Sequence, residues 1–113
     1  MDETLSAYAP QDTPFTLILV DDKETQISAS LILGKNGEVS GRAPCNGYFG
    51  KTTVPYPWFQ VETIGATKMA CPNLSDETDY FNRLKSMTLS EVSGDTLILS
   101  NDEGQNLVFK TRE

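Results

Sequence analysis

Ser75-Asp76-Glu77-Thr78-Asp79-Tyr80-Phe81-Asn82-Arg83-Leu84-Lys85-Ser86-Met87, followed by three strand-like runs, decides the fold class of this chain. Tyr80, Phe81, Leu84 and Met87 recur at helical spacing and form a core-facing stripe. Ser75 is placed to cap the helix, Asp76, Glu77 and Asp79 favour its positive end, and Arg83 and Lys85 lie in its last turns. Asp79 and Arg83 stand four residues apart, the spacing of a side-chain ion pair. Downstream, residues 89–92, 96–100 and 106–110 read as strands joined by Ser93-Gly94-Asp95 and Asn101-Asp102-Glu103-Gly104.

Strand signals also precede the helix. Phe15-Thr16-Leu17-Ile18-Leu19-Val20 is rich in β-branched and aromatic residues, and Asp21-Asp22-Lys23-Glu24 follows as a turn. Ile27, Ala29, Leu31 and Leu33 alternate with period two, Gly34-Lys35-Asn36-Gly37 supplies turn residues, and Glu38-Val39-Ser40 returns as the second arm of a hairpin. Tyr48-Phe49 and Thr52-Thr53-Val54 suggest strand, while Pro55 and Pro57 place that stretch at an edge or bend. Strand is expected to resume over 58–62 with Phe59 and Val61 on one face, and residues 64–69 to run extended up to Cys71-Pro72. The class is therefore α+β, with a strongly curved antiparallel sheet, a partly open barrel, wrapping one α-helix. Residues 1–14, with Pro10, Asp12 and Pro14, lack periodicity and read as a partly disordered lead-in; residues 15–113 form one domain.

Composition removes several function classes. The 113 residues carry a formal charge of −7, with no basic stripe to meet a phosphate backbone, so nucleic-acid binding is not expected. No apolar run approaches the roughly 20 residues of a membrane span. Histidine is absent, which excludes the usual general base and every Ser-His or Cys-His arrangement. The acidic start Met1-Asp2-Glu3-Thr4 has neither the basic nor the apolar region of a secretion signal.

Gly37-Glu38-Val39-Ser40-Gly41, then Cys45-Asn46-Gly47-Tyr48-Phe49-Gly50, then Ala66-Thr67-Lys68-Met69-Ala70-Cys71-Pro72 precede the helix in that order. Together with Glu77, Tyr80, Phe81 and Leu84 on the helix and Leu97, Leu99, Leu107 and Phe109 beyond it, they resemble the META domain family, which includes heat-shock-associated HslJ-like proteins. Ala43-Pro44 stands where that family often has Gly before Cys-Asn. The resemblance covers roughly residues 15–110. It implies a curved, partly open barrel around a helix, an envelope or secreted location for many members, and no established enzymatic activity.

Each singled-out residue has a functional and a structural reading. Cys45 and Cys71 are either two packed thiols or the ends of one bridge, closing a loop of about 27 residues. With no Cys-x-x-Cys and no His, a thiol enzyme or a zinc site is disfavoured. Asn46-Gly47 offers an amide to a partner or simply makes a turn. Thr67 and Met69 line a binding surface or pack inward. Trp58, among Pro55, Tyr56, Pro57 and Phe59, forms an exposed platform or closes the core. The acidic groups Asp21-Asp22-Glu24, Asp76-Glu77-Asp79 and Asp102-Glu103 lack calcium-loop spacing and fit two turns and a helix start.

The expected function is a non-catalytic, stress-associated accessory domain, a monomer without cofactors that binds a protein or peptide partner. The alternatives are a carrier of a small apolar ligand and, least favoured, a thiol enzyme. The location follows as periplasm or cell envelope if a leader has been removed, otherwise cytoplasm.

Overall fold

Phe15–Val20 forms β1, the strand on which the sheet is assembled, because its buried Phe15 and Leu17 face the core while Thr16 and Ile18 face outward. The computed structural model describes residues 3–61, 64–68, 70–72 and 74–111. After β1, Asp21 and Asp22 both adopt left-handed backbone (φ 53° and 66°), a two-residue turn suited to the twist of a hairpin, and lead into β2 (Lys23–Glu24). β3 (Ser30–Leu33) keeps the expected alternation, with Leu31 and Leu33 buried, but as a shorter strand than residues 27–33. A turn through Asn36 and Gly37 leads to β4 (Glu38–Arg42), and β5 (Gly47–Lys51) pairs with β4 from Glu38↔Lys51 to Arg42↔Gly47. Gly37 is required at its position: its φ is +85°, and a β-carbon there would overlap the Thr52 carbonyl.

β6 (Gly65–Ala66), α1 (Leu74–Ser86), β7 (Leu89–Ser93), β8 (Thr96–Ser100) and β9 (Asn106–Thr111) complete the fold. Among the described residues nine strands make one antiparallel sheet in the order β6-β5-β4-β3-β1-β9-β8-β7, with β2 attached to β1. It is not closed: β6 stands at one end and β7 at the other. The last strand thus docks beside the first, and a register shift between Leu17 and Leu19 marks a bulge in that pairing.

One core joins sheet and helix. Phe15, Leu31, Leu33, Leu97, Leu99, Leu107 and Phe109 from the strands are fully buried with Tyr80 and Leu84 of α1 and Met87 just beyond it. Each such side chain contributes roughly 1.5–3 kcal/mol by leaving water. Among the described residues no helix is long and apolar enough to cross a membrane.

Further local readings differ from the sequence expectation, among them residues 52–54, which lie beyond the end of β5 and form no strand. Residues 58–61 do not form a strand: Phe59 and Val61 are buried as the alternation implies, but the backbone makes only the isolated bridge Trp58↔Leu89. Pro55 and Pro57 lack the N–H that a ladder requires. Ser75 is not the cap, since α1 begins one residue earlier at Leu74. Ahead of β1, where the sequence shows no periodicity, Leu5–Tyr8 forms a 3-10 turn whose Leu5 is wholly buried, and the Asp12 N–H donates to the Leu33 carbonyl. One apolar side chain anchors this segment to the core without any repeat that a periodicity reading could detect.

Candidate functional site

Glu77 is the organising residue. It lies in the first turn of α1 but is only 4% exposed, because it faces the turn between β4 and β5 rather than solvent. The Cys45 and Asn46 N–H groups both donate to Glu77 Oε1, at 3.0 and 2.8 Å, and Asn46 Nδ2 donates to Oε2 at 2.7 Å. A carboxylate that satisfies two backbone donors fixes the backbone around it. Thr67, just after β6, donates its hydroxyl to Asn46 Oδ1 at 2.8 Å, and its N–H donates to the Gly47 carbonyl. The chain Thr67–Asn46–Glu77 therefore ties β6, the β4–β5 turn and α1 to one another.

Cys45 and Cys71 form a disulfide with Cα atoms 6.1 Å apart, a second tie between that turn and the segment entering α1. Behind the turn, Tyr48 donates to the Ser30 carbonyl at 2.8 Å, so at the 2.7 Å contact between hydroxyls Tyr80 donates to Tyr48. Burial pushes both phenols above their ordinary value, which leaves neither available as a base near neutral pH. On the far side of α1, Arg83 binds Asp21 at 2.8 Å and Asp79 at 3.1 Å. The Arg83 hydrogen bond holds the Asp21 carboxyl below its usual value, and the same bond holds the guanidinium up.

Between β6 and α1 opens a cleft of about 480 Å³. Ile64, Ala66, Leu74 and Phe81 give it apolar walls; Asn46, Thr67, Lys68 and Lys85 supply its polar groups along with the buried Glu77. Its size falls in the range of small-ligand and peptide sites. A second cleft of about 540 Å³ is lined by Val54, Pro55, Trp58 and Met87, and Lys85 lines both. Among the described residues no group of His, Cys, Asp and Glu is placed to hold a metal ion.

The residues singled out from the sequence fall into distinct places. Asn46 does not present its amide to solvent: it is 2% exposed, and its side chain is held by Glu77 and Thr67. Thr67 is exposed and lines the first cleft. Trp58 is 57% exposed in the second, and Met69 lies outside the described residues. Sequence reasoning named Glu77 as a helix-start charge and as one of the residues resembling the family, but missed its role as the buried acceptor of this corner. The signal was its position, three residues before Tyr80 and seven before Leu84, on the apolar side of the helix.

A solution structure of a protein from Burkholderia xenovorans matches with a TM-score of 0.72 at 24% identity, over 99% of this chain and 91% of that one. A second solution structure matches with 0.66 at 22% identity, over 88% and 89% of the two chains. A DUF4847 family protein from Bacteroides vulgatus gives 0.55 at 13% identity, over 73% of this chain and 57% of that one. At these identities the likeness is one of fold. No curated protein matches the chain. The model of the META domain matches residues 9–113, nearly the whole length, including the Cys45-Asn46 turn, Thr67 and Glu77, and the chain belongs to the META domain family.

Proposed function

We propose that this META domain is a non-catalytic binding module that holds a segment of a protein partner in the cleft between β6 and α1. The observation that carries the reading is the combination of an open, apolar-walled cleft with a rigid polar support, Thr67–Asn46–Glu77, whose hydrogen bonds are made within the fold. Groups held in this way position walls; they are poorly placed to transfer protons or attack a substrate. β6 is an edge strand, and among the described residues no strand pairs with its outer side, so its backbone groups are available to a partner chain. In this reading the sheet curves around α1 as a partly open barrel, and the cleft is its gap. The domain acts as a monomer in the periplasm or envelope, in a stress-associated role.

Displayed peptides selected on the oxidised domain and then titrated into isotope-labelled protein test the reading. Selected peptides are expected to shift the amide signals of Ile64, Ala66 and Phe81. Two results would overturn it: no peptide selection together with binding of a fatty acid in the same cleft, which makes the domain a carrier, or a substrate turnover lost on Cys45→Ala. Fractionation of cells expressing the full precursor tests the location, and a purely cytosolic pool rejects it.

A further inference from the structure

We infer that the binding surface continues past the first cleft, over Lys85 to Trp58, and that its occupant is an extended peptide segment of about six residues with apolar ends and acidic residues between them. This rests on the reading of the β6–α1 cleft as a partner site and adds the partner's chemistry. Lys85 lines both clefts, so its side chain stands between the one at Leu74 and Phe81 and the one at Met87 and Trp58. From Leu74 to Ser86 the helix rises about 18 Å, at about 1.5 Å per residue. About six extended residues span the same length.

The charge of this track is opposite to that of the protein. The chain as a whole is acidic, at −7, yet Lys68 and Lys85 make no ion pair among the described residues and both line the cleft. Among the described residues the acid lining it, Glu77, is buried under three donors. The other acids of α1 point elsewhere: at about 100° per residue, Asp76 and Asp79 fall roughly half a turn from the face carrying Leu74, Phe81 and Lys85. Asp79 is paired there with Arg83. An acidic segment therefore meets free ammonium groups in the track and is repelled by the rest of the surface, which favours this register. At the far end Trp58, 57% exposed beside Pro55, offers an aromatic face for the second apolar end of the segment.

Three hexapeptides test the inference, each with leucine at one end and phenylalanine at the other, and with paired glutamates, glutamines or lysines between. Trp58 is the chain's single tryptophan, so its emission reports occupancy of the far end, while amide shifts at Ile64 and Phe81 report the near end. The glutamate peptide is expected to move both signals and to bind about fivefold tighter than the glutamine peptide, with the preference shrinking as salt rises. Lys85→Glu, an exposed position whose folding is checked by circular dichroism, should reverse the order so that the lysine peptide binds best. Equal binding of all three peptides at both ends would overturn the acidic chemistry, and shifts at Ile64 and Phe81 with an unchanged Trp58 would overturn the continuous track; in both cases the partner site itself stands. Silence at both ends with every peptide would overturn the site and the inference together.

Discussion

Replacing Glu77 separates a helix-end charge from a buried organiser. If the carboxylate merely complemented the helix dipole, Glu77→Ala would cost about 0.3–1 kcal/mol. In the observed geometry it removes the acceptor of three hydrogen bonds, from the Cys45 and Asn46 N–H groups and Asn46 Nδ2. A hydrogen bond to a charged group contributes about 1.5–3 kcal/mol, and these three share one carboxylate and are not additive, so the expected loss is about 3–5 kcal/mol. For a domain of this size that lowers Tm by about 12–20 °C. Glu77→Gln should lose less, about 1–2 kcal/mol, because the glutamine oxygen still accepts from the two backbone donors. Its amide then faces Asn46 Nδ2, and the Asn46 side chain must turn over. Thr67 can follow by accepting where it had donated, since a hydroxyl does either. Urea unfolding of the oxidised protein, followed by the single tryptophan, measures all three proteins, with an unchanged m-value as the check on comparability. A Glu77→Ala loss below about 1 kcal/mol, or a Glu77→Gln loss as large as that of Glu77→Ala, would refute the reasoning.

Joint Cys45→Ser and Cys71→Ser replacement should lower stability by at most about 3.5 kcal/mol, the chain-entropy figure for a loop of about 27 residues. Intact mass after alkylation with and without reductant checks the bridge directly, two alkyl groups appearing only after reduction. The Asp21 carboxyl, held low chiefly by its hydrogen bond to Arg83, titrates below its unfolded value of 3.8. Its contribution is present above that value and is lost as pH falls through the lower folded value. Because the pair is partly exposed, Asp21→Asn should flatten the acid limb of the stability profile by less than about 1 kcal/mol, as read from urea midpoints between pH 6 and pH 2. Gly37→Ala should cost more than about 2 kcal/mol, since backbone strain adds to overlap with the Thr52 carbonyl, whereas Gly94→Ala, also at positive φ but in open space, should cost about 1 kcal/mol; thermal melts of the two variants compare them.

The parts of the fold legible from the chain are those where one local rule decides. Phe15–Val20, the terminal meander and the stripe of Tyr80 and Leu84 are all seen in the structure, because apolar period and side-chain burial agree there. Asp79 and Arg83 pair as their spacing implies. Residues 58–61 mislead because burial of Phe59 and Val61 has the period of a strand, while the neighbouring prolines deny the ladder and leave the single bridge to Leu89. Leu5 is invisible for the opposite reason, being a buried apolar side chain in a segment with no period at all.

The site was less legible than the fold because its bonds join residues far apart in the chain. Asn46 and Glu77 are separated by 31 positions, and Thr67 reaches Asn46 across 21. Read singly, Asn46 is a turn residue, Glu77 a helix-start acid and Thr67 a strand-end hydroxyl; each local reading is correct and each omits the partner. Only the antiparallel pairing of β5 with β6, which sets Tyr48 opposite Ala66, brings Thr67 to the β4–β5 turn, and only the docking of α1 turns Glu77 toward it. The disulfide closes the same junction covalently. Hydrogen bonds from Cys45, Asn46 and Thr67 and a disulfide are concentrated at one corner of a domain whose core already joins sheet to helix. That concentration makes sense if the corner must hold the walls of the adjoining cleft still, because a preformed site lets a partner segment bind without also ordering the surface that receives it.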